Sequence, residues 1–214
     1  MPGCKAPKIL RNEAYFGVHR NDEGPARRGN AADGRFSAAA RGVRMGILTR
    51  EEILKEIGRG TISIEPLDRH QVGPGSIDLR LGNEFRVFKK LRNALTVDEQ
   101  LSLEDLTERV AGEESFTLMP GETVLGITLE RIRLPANICG WLEGRSRFAR
   151  IGLVIHMTAS FVQPGIDNRQ VLEIGNLAPF PLVLKPGVRI CQIILERTEG
   201  EASYRGSFMN QDRL

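Results

Sequence analysis

Two stretches of this chain combine residue types that could do chemistry. The first is Gly144-Arg145-Ser146-Arg147-Phe148-Ala149-Arg150-Ile151-Gly152, which places three guanidinium groups and a hydroxyl between two glycines. It is too short for more than a turn or two of helix. A helix start leaves amides unpaired and carries partial positive charge, and three arginines add full charges, so a phosphate group would be well held there. Ser146 and Arg150, four apart, would share one face. The same pattern also suits a capped, solvated basic turn with no chemical role.

The second stretch is Val171-Leu172-Glu173-Ile174, an apolar β-favouring run with one carboxylate. Its setting predicts burial, which raises a carboxyl pKa towards the value a general base or proton shuttle needs. A structural pairing with an arginine is the competing reading.

These stretches must be positioned by a scaffold of short strands. Phe116–118, Pro120-Gly121 and 123–129 read as strand, turn, strand, and 182–184, Pro186-Gly187 and 188–195 repeat the device. Proline presets φ, and glycine supplies the positive φ that such a turn needs. Residues 62–64, 76–81, 138–142, 153–158 and 170–174 are also β-favouring, and few helices interrupt them. The spacing predicts a mainly β barrel or jelly roll, not an α/β sheet. Thr49 followed by Glu52 has the pattern of a capping box, and Ile53, Leu54 and Ile57 give an apolar face that ends near Gly58 and Gly60. One short N-terminal helix is therefore expected.

Upstream of Met45 the character differs. Residues 1–44 hold nine Lys or Arg against four Asp or Glu, leaving 21 against 23 of the 214-residue chain's 30 and 27 for the remainder. The net charge of +3 thus belongs to this segment. It has no sustained period of 2 or 3.6, and residues 1–44 are expected to be a disordered extension, with Met45 a plausible natural start. The segment lacks the dense charge and aromatics of a nucleic-acid or membrane-binding tail, so neither partner is expected. No run of about 18 apolar residues and no secretory signal occurs, which predicts a soluble, cytoplasmic protein.

Cys4, Cys139 and Cys191 are odd in number and widely spaced, which argues against a disulfide framework. His19, His70 and His156 stand in no zinc-ligand spacing. The chain also carries neither the H-x-E nor the P-C-x-x-C signature of the zinc nucleoside deaminases. Trp141 is the sole tryptophan, and a lone aromatic in a β segment predicts a core position. His156, alternating with apolar neighbours, is expected to be packed or to lie at a subunit axis and not to be a ligand, and Asp78 to fix local backbone or help close a subunit contact.

The order and spacing of Gly144-Arg145-Ser146 through Arg150-Ile151-Gly152-Leu153, then Thr158-Ala159, Pro164-Gly165, Val171-Leu172-Glu173 and Asn176, closely resemble the central motifs of dCTP deaminases. The segment Gln71-Val72-Gly73-Pro74-Gly75-Ser76-Ile77-Asp78-Leu79-Arg80-Leu81-Gly82 is similar to that family's N-terminal signature. The resemblance runs from about Met45 to the C-terminus, making residues 45–214 a dCTP deaminase/dUTPase-like domain. It implies a β-clip fold, a distorted barrel, assembled as a homotrimer with active sites between subunits. The implied substrate is dCTP with Mg²⁺ on its triphosphate and no zinc, and dTTP, which inhibits parts of the family, is a candidate inhibitor.

By the same resemblance, Glu173, Ser146 and Arg150 are the catalytic set. Glu173 would take a proton from water so that hydroxide attacks C4 of cytosine, then pass protons to N3 and the departing amine. Ser146 would orient the water and the base edge, and Arg150 would hold the geometry and balance charge. Arg145, with the amides of Ser146 and Arg147, would meet the triphosphate. Thr158 and Ala159 would line the base pocket, and Tyr204 and Gln211 would close over phosphate and base.

The chain departs from the family pattern in three places. Ser207 stands where many members place a phosphate-binding lysine, in a tail that ends at Leu214 without a longer lid. Ser160-Phe161 replaces a polar pair. Gln163, in the substrate-binding set, stands where an Asp serves the sugar and the hydrolytic water in dUTPases. An amide cannot act as a general base, which disfavours hydrolysis of the α–β phosphate bond. Three functions follow for the sequence: a zinc-independent dCTP deaminase yielding dUTP, a dUTPase or bifunctional enzyme yielding dUMP, and a trimeric nucleotide-binding module without turnover.

Overall fold

The computed structural model describes residues 46–111 and 114–214. The extension expected over residues 1–44, with Cys4 and His19, lies outside them. Among the described residues, twelve strands dominate: β1 Gly46–Ile47, β2 Ser63–Glu65, β3 Ile77–Phe88, β4 Thr107–Ala111, β5 Phe116–Leu118, β6 Thr123–Arg133, β7 Ile138–Gly144, β8 Leu153–Ile155, β9 Phe161–Val162, β10 Asp167–Asn176, β11 Leu182–Leu184 and β12 Arg189–Arg197. Helices are short: α1 Arg50–Gly58, α2 Leu103–Leu106 and α3 Ser146–Ala149, with a single 3₁₀ turn at Arg69–Gln71. The mainly β expectation holds.

Seven strands run in the order β8-β10-β6-β3-β12-β7-β9, every neighbouring pair antiparallel, and β11 pairs separately with β5. β3 joins the two halves of the sheet. Its first residues, Ile77–Arg80, pair with β12, and from Leu81 onward it pairs with β6, with a register shift between Leu81 and Phe85. Such a shift bends the strand and adds twist, so the sheet curls into a half-barrel. Inside the curl, Ile77, Leu79, Leu81, Phe85, Ile132, Ile138, Leu172, Ile174 and Ile193 have no exposed surface. Burial of each contributes about 1.5–3 kcal/mol. Phe85 also stacks on Phe116 with centroids 5.0 Å apart.

Both proline-glycine turns form as expected, with Gly121 at φ +78° and Gly187 at φ +83°. Two expectations are corrected. Thr49 is the N-cap of α1 but makes no side-chain cap, because Glu52 turns away to Lys55 and Arg197 while Pro74 accepts the Arg50 N–H at 2.8 Å. A capping box does form at Asp68 and Gln71, where none was expected. Trp141 is 40 % exposed, because β7 turns Leu142 inward and Trp141 outward, where it tilts against Phe161 at 4.9 Å. Cys139 and Cys191 are buried free thiols. Among the described residues, no helix is long and apolar enough to cross a membrane.

Candidate active site

Strand period places Glu173. Leu172 and Ile174 occupy the core face of β10, so Glu173 points to the opposite face, half-buried instead of buried as expected. There it lines a cavity of about 420 Å³ whose walls include His156, Ala159, Phe161, Gln163, Asn168, Gln170, Tyr204 and Gln211. Among the described residues, Glu173 is the only carboxylate in that lining.

The loop between β8 and β9 forms one wall. His156 donates its backbone N–H to the Glu173 carbonyl at 2.8 Å and then turns the chain with φ at 59°. This conformation is uncommon for a residue with a side chain, although histidine is among those enriched in it. The turn is closed by the imidazole, whose Nε2 lies 2.7 Å from the Ala159 carbonyl. A carbonyl only accepts, so Nε2 carries the hydrogen, and the buried Nδ1 has no partner among the described residues. The Thr158 N–H donates to the Glu173 carboxylate at 3.3 Å. Sequence periodicity marks His156 as a packed or subunit-axis residue and holds no signal for this turn.

The C-terminal segment forms the facing wall by lying along β10. Arg169 donates its N–H to the Gln211 carbonyl at 2.8 Å, the Asn168 amide reaches the Phe208 carbonyl at 2.7 Å, and Tyr204 donates to the Pro164 carbonyl at 3.0 Å. Asp212 pairs with Arg131 at 3.1 Å, and Leu214 is buried against Leu125 and Ile127. Tyr204 and Gln211 are thereby brought to the cavity, whereas Ser207 is exposed and outside it.

The arginine-rich segment lies elsewhere. α3 is docked by the half-buried Phe148, which packs on the core, while Ser146, Arg147 and Arg150 are exposed. Gly152 ends the segment at φ +84°, where an added Cβ would lie 2.7 Å from the Ala178 nitrogen, so only glycine fits. Arg145 caps α3 with its carbonyl, which accepts from Phe148 at 2.9 Å and Ala149 at 3.0 Å. That leaves the Ser146 and Arg147 amides outside the helical ladder. The Arg145 side chain pairs with Asp78 at 3.0 Å.

Two groups of residues thus emerge within one chain. Glu173, Ala159, Gln163, Tyr204 and Gln211 line one cavity, with Thr158 at its carboxylate. Ser146, Arg150, Arg145 and Arg147 do not line it. Their segment runs on through Ile151 and Gly152 into β8 at Leu153, and Leu153 itself lies three residues, roughly 10 Å along a strand, from His156, whose N–H meets the Glu173 carbonyl.

The family model described as dCTP deaminase-like matches residues 47–198. Over 160 residues the chain is 42 % identical to a protein of Parafrankia sp. (strain EAN1pec) named dCTP deaminase, dUMP-forming, covering 74 % of this chain and 79 % of that one. It is 41 % identical over 160 residues to a protein of the same name from Mycolicibacterium vanbaalenii, covering 74 % and 84 %. The crystal structure of 2′-deoxycytidine 5′-triphosphate deaminase from Agrobacterium tumefaciens is similar with a TM-score of 0.57 and 25 % identity, over 72 % of this chain and 49 % of that chain. This chain therefore matches about half the length of that protein.

Proposed function

The chain belongs to the dCTP deaminase-like family, and from that premise we propose that it hydrolytically deaminates dCTP, converting dCTP and water to dUTP and ammonia. The observation that carries this reading is Glu173, the sole carboxylate of the cavity, held beside Ala159 and the Thr158 amide. A general base must lie within hydrogen-bond reach of the water it deprotonates, and the carboxylate of Glu173 faces the cavity where such a water would bind. It takes one proton from water as hydroxide adds to C4 and passes it to N3, then takes the proton of the new C4 hydroxyl and passes it to the amine, which leaves as ammonia while C4 becomes a carbonyl.

The exposed Ser146 and Arg150 complete the site from a second subunit, in a homotrimer whose active sites lie between chains. There Ser146 orients the water and Arg150 balances the charge of Glu173 and the intermediate. Arg145, with the Ser146 and Arg147 amides, meets the triphosphate. The cavity lining offers Mg²⁺ only one acid, and no group of three or more metal-binding side chains occurs among the described residues. In this reading magnesium would come with the nucleotide, on its triphosphate, and the Glu173 carboxylate, not zinc, activates the attacking water.

Gln163 favours dUTP as the product, since an amide stands in the cavity where a second base would be needed for α–β hydrolysis. A second reading, continued hydrolysis to dUMP, is favoured by the names of the relatives at 42 % and 41 % identity. Incubation with dCTP and Mg²⁺ under a zinc-specific chelator, followed by ion-exchange separation of nucleotides, tests both. Accumulating dUTP with ammonia supports the first reading, and dUMP with pyrophosphate supports the second. Unchanged dCTP would contradict both.

A further inference from the structure

Asp78 of β3 holds two guanidinium groups on a single carboxylate oxygen. Its Oδ2 lies 3.0 Å from Nη2 of Arg145 and 3.4 Å from Nη1 of Arg189. The two arginines are also linked directly, because Arg145 donates through Nη1 to the Arg189 carbonyl at 2.8 Å. Arg189 fixes its own Nη1 on the His70 carbonyl at 3.1 Å. One negative charge thus faces two positive ones. The next basic residue across the ladder, Arg80, is occupied by the buried Glu130 at 2.6 Å, and Glu143, the exposed carboxylate of β7, forms no ion pair with either arginine.

The surplus charge is accessible. The Arg189 side chain is 44 % exposed and Arg145 is 25 % exposed. Nε and Nη2 of Arg189 have no partner among the described residues, so half of its fork is open to a ligand. Because both nitrogens contact the same oxygen, they are no more than about 6.4 Å apart, the sum of those two contact distances, which one polyphosphate can span. Guanidinium groups at this spacing repel each other, and a multiply charged anion relieves that repulsion while filling the open donors.

We propose that Arg189 is a second phosphate-binding residue, acting with Arg145 on the polyphosphate chain of the nucleotide, and that Asp78 is the positioning residue that holds both guanidinium groups together. This rests on the reading that Arg145 meets the triphosphate. The assignment is invisible in local sequence, because Asp78, Arg145 and Arg189 are brought together only by the pairing of β3 and β7 with β12.

The test measures calorimetric binding of inorganic tripolyphosphate, and dCTP turnover, for the wild type, Arg189→Met, Arg189→Lys, Asp78→Asn and the control Arg133→Met. For Arg189→Met, tripolyphosphate Kd and dCTP KM are expected to rise about tenfold with kcat within about twofold of the wild type, the scale of one lost charge-assisted contact. Arg189→Lys should recover part of the loss, Asp78→Asn should shift KM and not kcat, and Arg133→Met should change neither. Should Asp78→Asn fail to fold, Arg189→Met decides alone. Wild-type binding in Arg189→Met would overturn the inference and leave the deaminase reading intact. Absence of tripolyphosphate binding by the wild type would also overturn it, whereas the deaminase reading is judged separately by ammonia release from dCTP.

Discussion

The backbone N–H of Thr158 donates to the carboxylate of Glu173 at 3.3 Å, across a turn that His156 closes with its own ring. Fifteen residues separate the two in sequence. The contact exists because β8 and β10 are paired up to Ile155 and Ile174, and the chain then leaves the sheet through the positive φ of His156. That departure carries Thr158 and Ala159 over the outward face of β10, where Glu173 points.

The separation of Ser146 and Arg150 from the Glu173 cavity makes a strong prediction about assembly. Ser146→Ala and Glu173→Gln should each be nearly inactive alone. Mixed after joint refolding, the two variants should regain a measurable fraction of dCTP turnover, because some interfaces then pair an intact Ser146 with an intact Glu173. No recovery in a demonstrably mixed oligomer would place the whole site within one chain.

Gln163 offers a gain-of-function test. Gln163→Asp adds a second carboxylate to a cavity that now holds one. If the amide is what stops the reaction at dUTP, this variant should form dUMP and pyrophosphate from dCTP where the wild type accumulates dUTP. A wild type that already yields dUMP would show that another group places the hydrolytic water.

Much of this was legible in the sequence, for a physical reason. Turn residues and apolar β segments are local signals, so both proline-glycine turns, β5 and β11 stand where periodicity put them. β3 was read only to Leu81, because Gly82-Asn83-Glu84 interrupts the apolar pattern. It continues to Phe88 because β4, itself rich in charge, pairs with it. The outward Trp141 and the half-buried Glu173 were misjudged for a shared reason: an apolar run names a strand but not which face each residue takes. The Asp78, Arg145 and Arg189 cluster is assembled from three strands, or their ends, that are distant in sequence, and no local pattern reports it.

Glu56 provides a stability test away from the site. It is 5 % exposed and accepts hydrogen bonds from Arg197 and from the Thr61 hydroxyl, each at 2.8 Å. Burial pushes its carboxyl pKa up, but the bonds from Arg197 and Thr61 outweigh burial and hold it below the usual glutamate range. A pKa lowered on folding stabilises the protein above the unfolded value of about 4.3, and the contribution is lost as pH falls through the folded value. Glu56→Gln should therefore cost about 1–3 kcal/mol at pH 7. In thermal melts the gap to the wild type should narrow below about pH 4, as the Glu56 carboxyl becomes neutral first in the unfolded and then in the folded chain. A gap independent of pH would contradict the charge-based account.

The most direct measurement is ammonia release from dCTP by the wild type and by Glu173→Gln, with nucleotide binding followed in parallel. The account predicts that Glu173→Gln still binds dCTP while deamination falls by at least about a hundredfold, the scale of a lost general base. Deamination by the variant at the wild-type rate would contradict the assignment of Glu173 as the base.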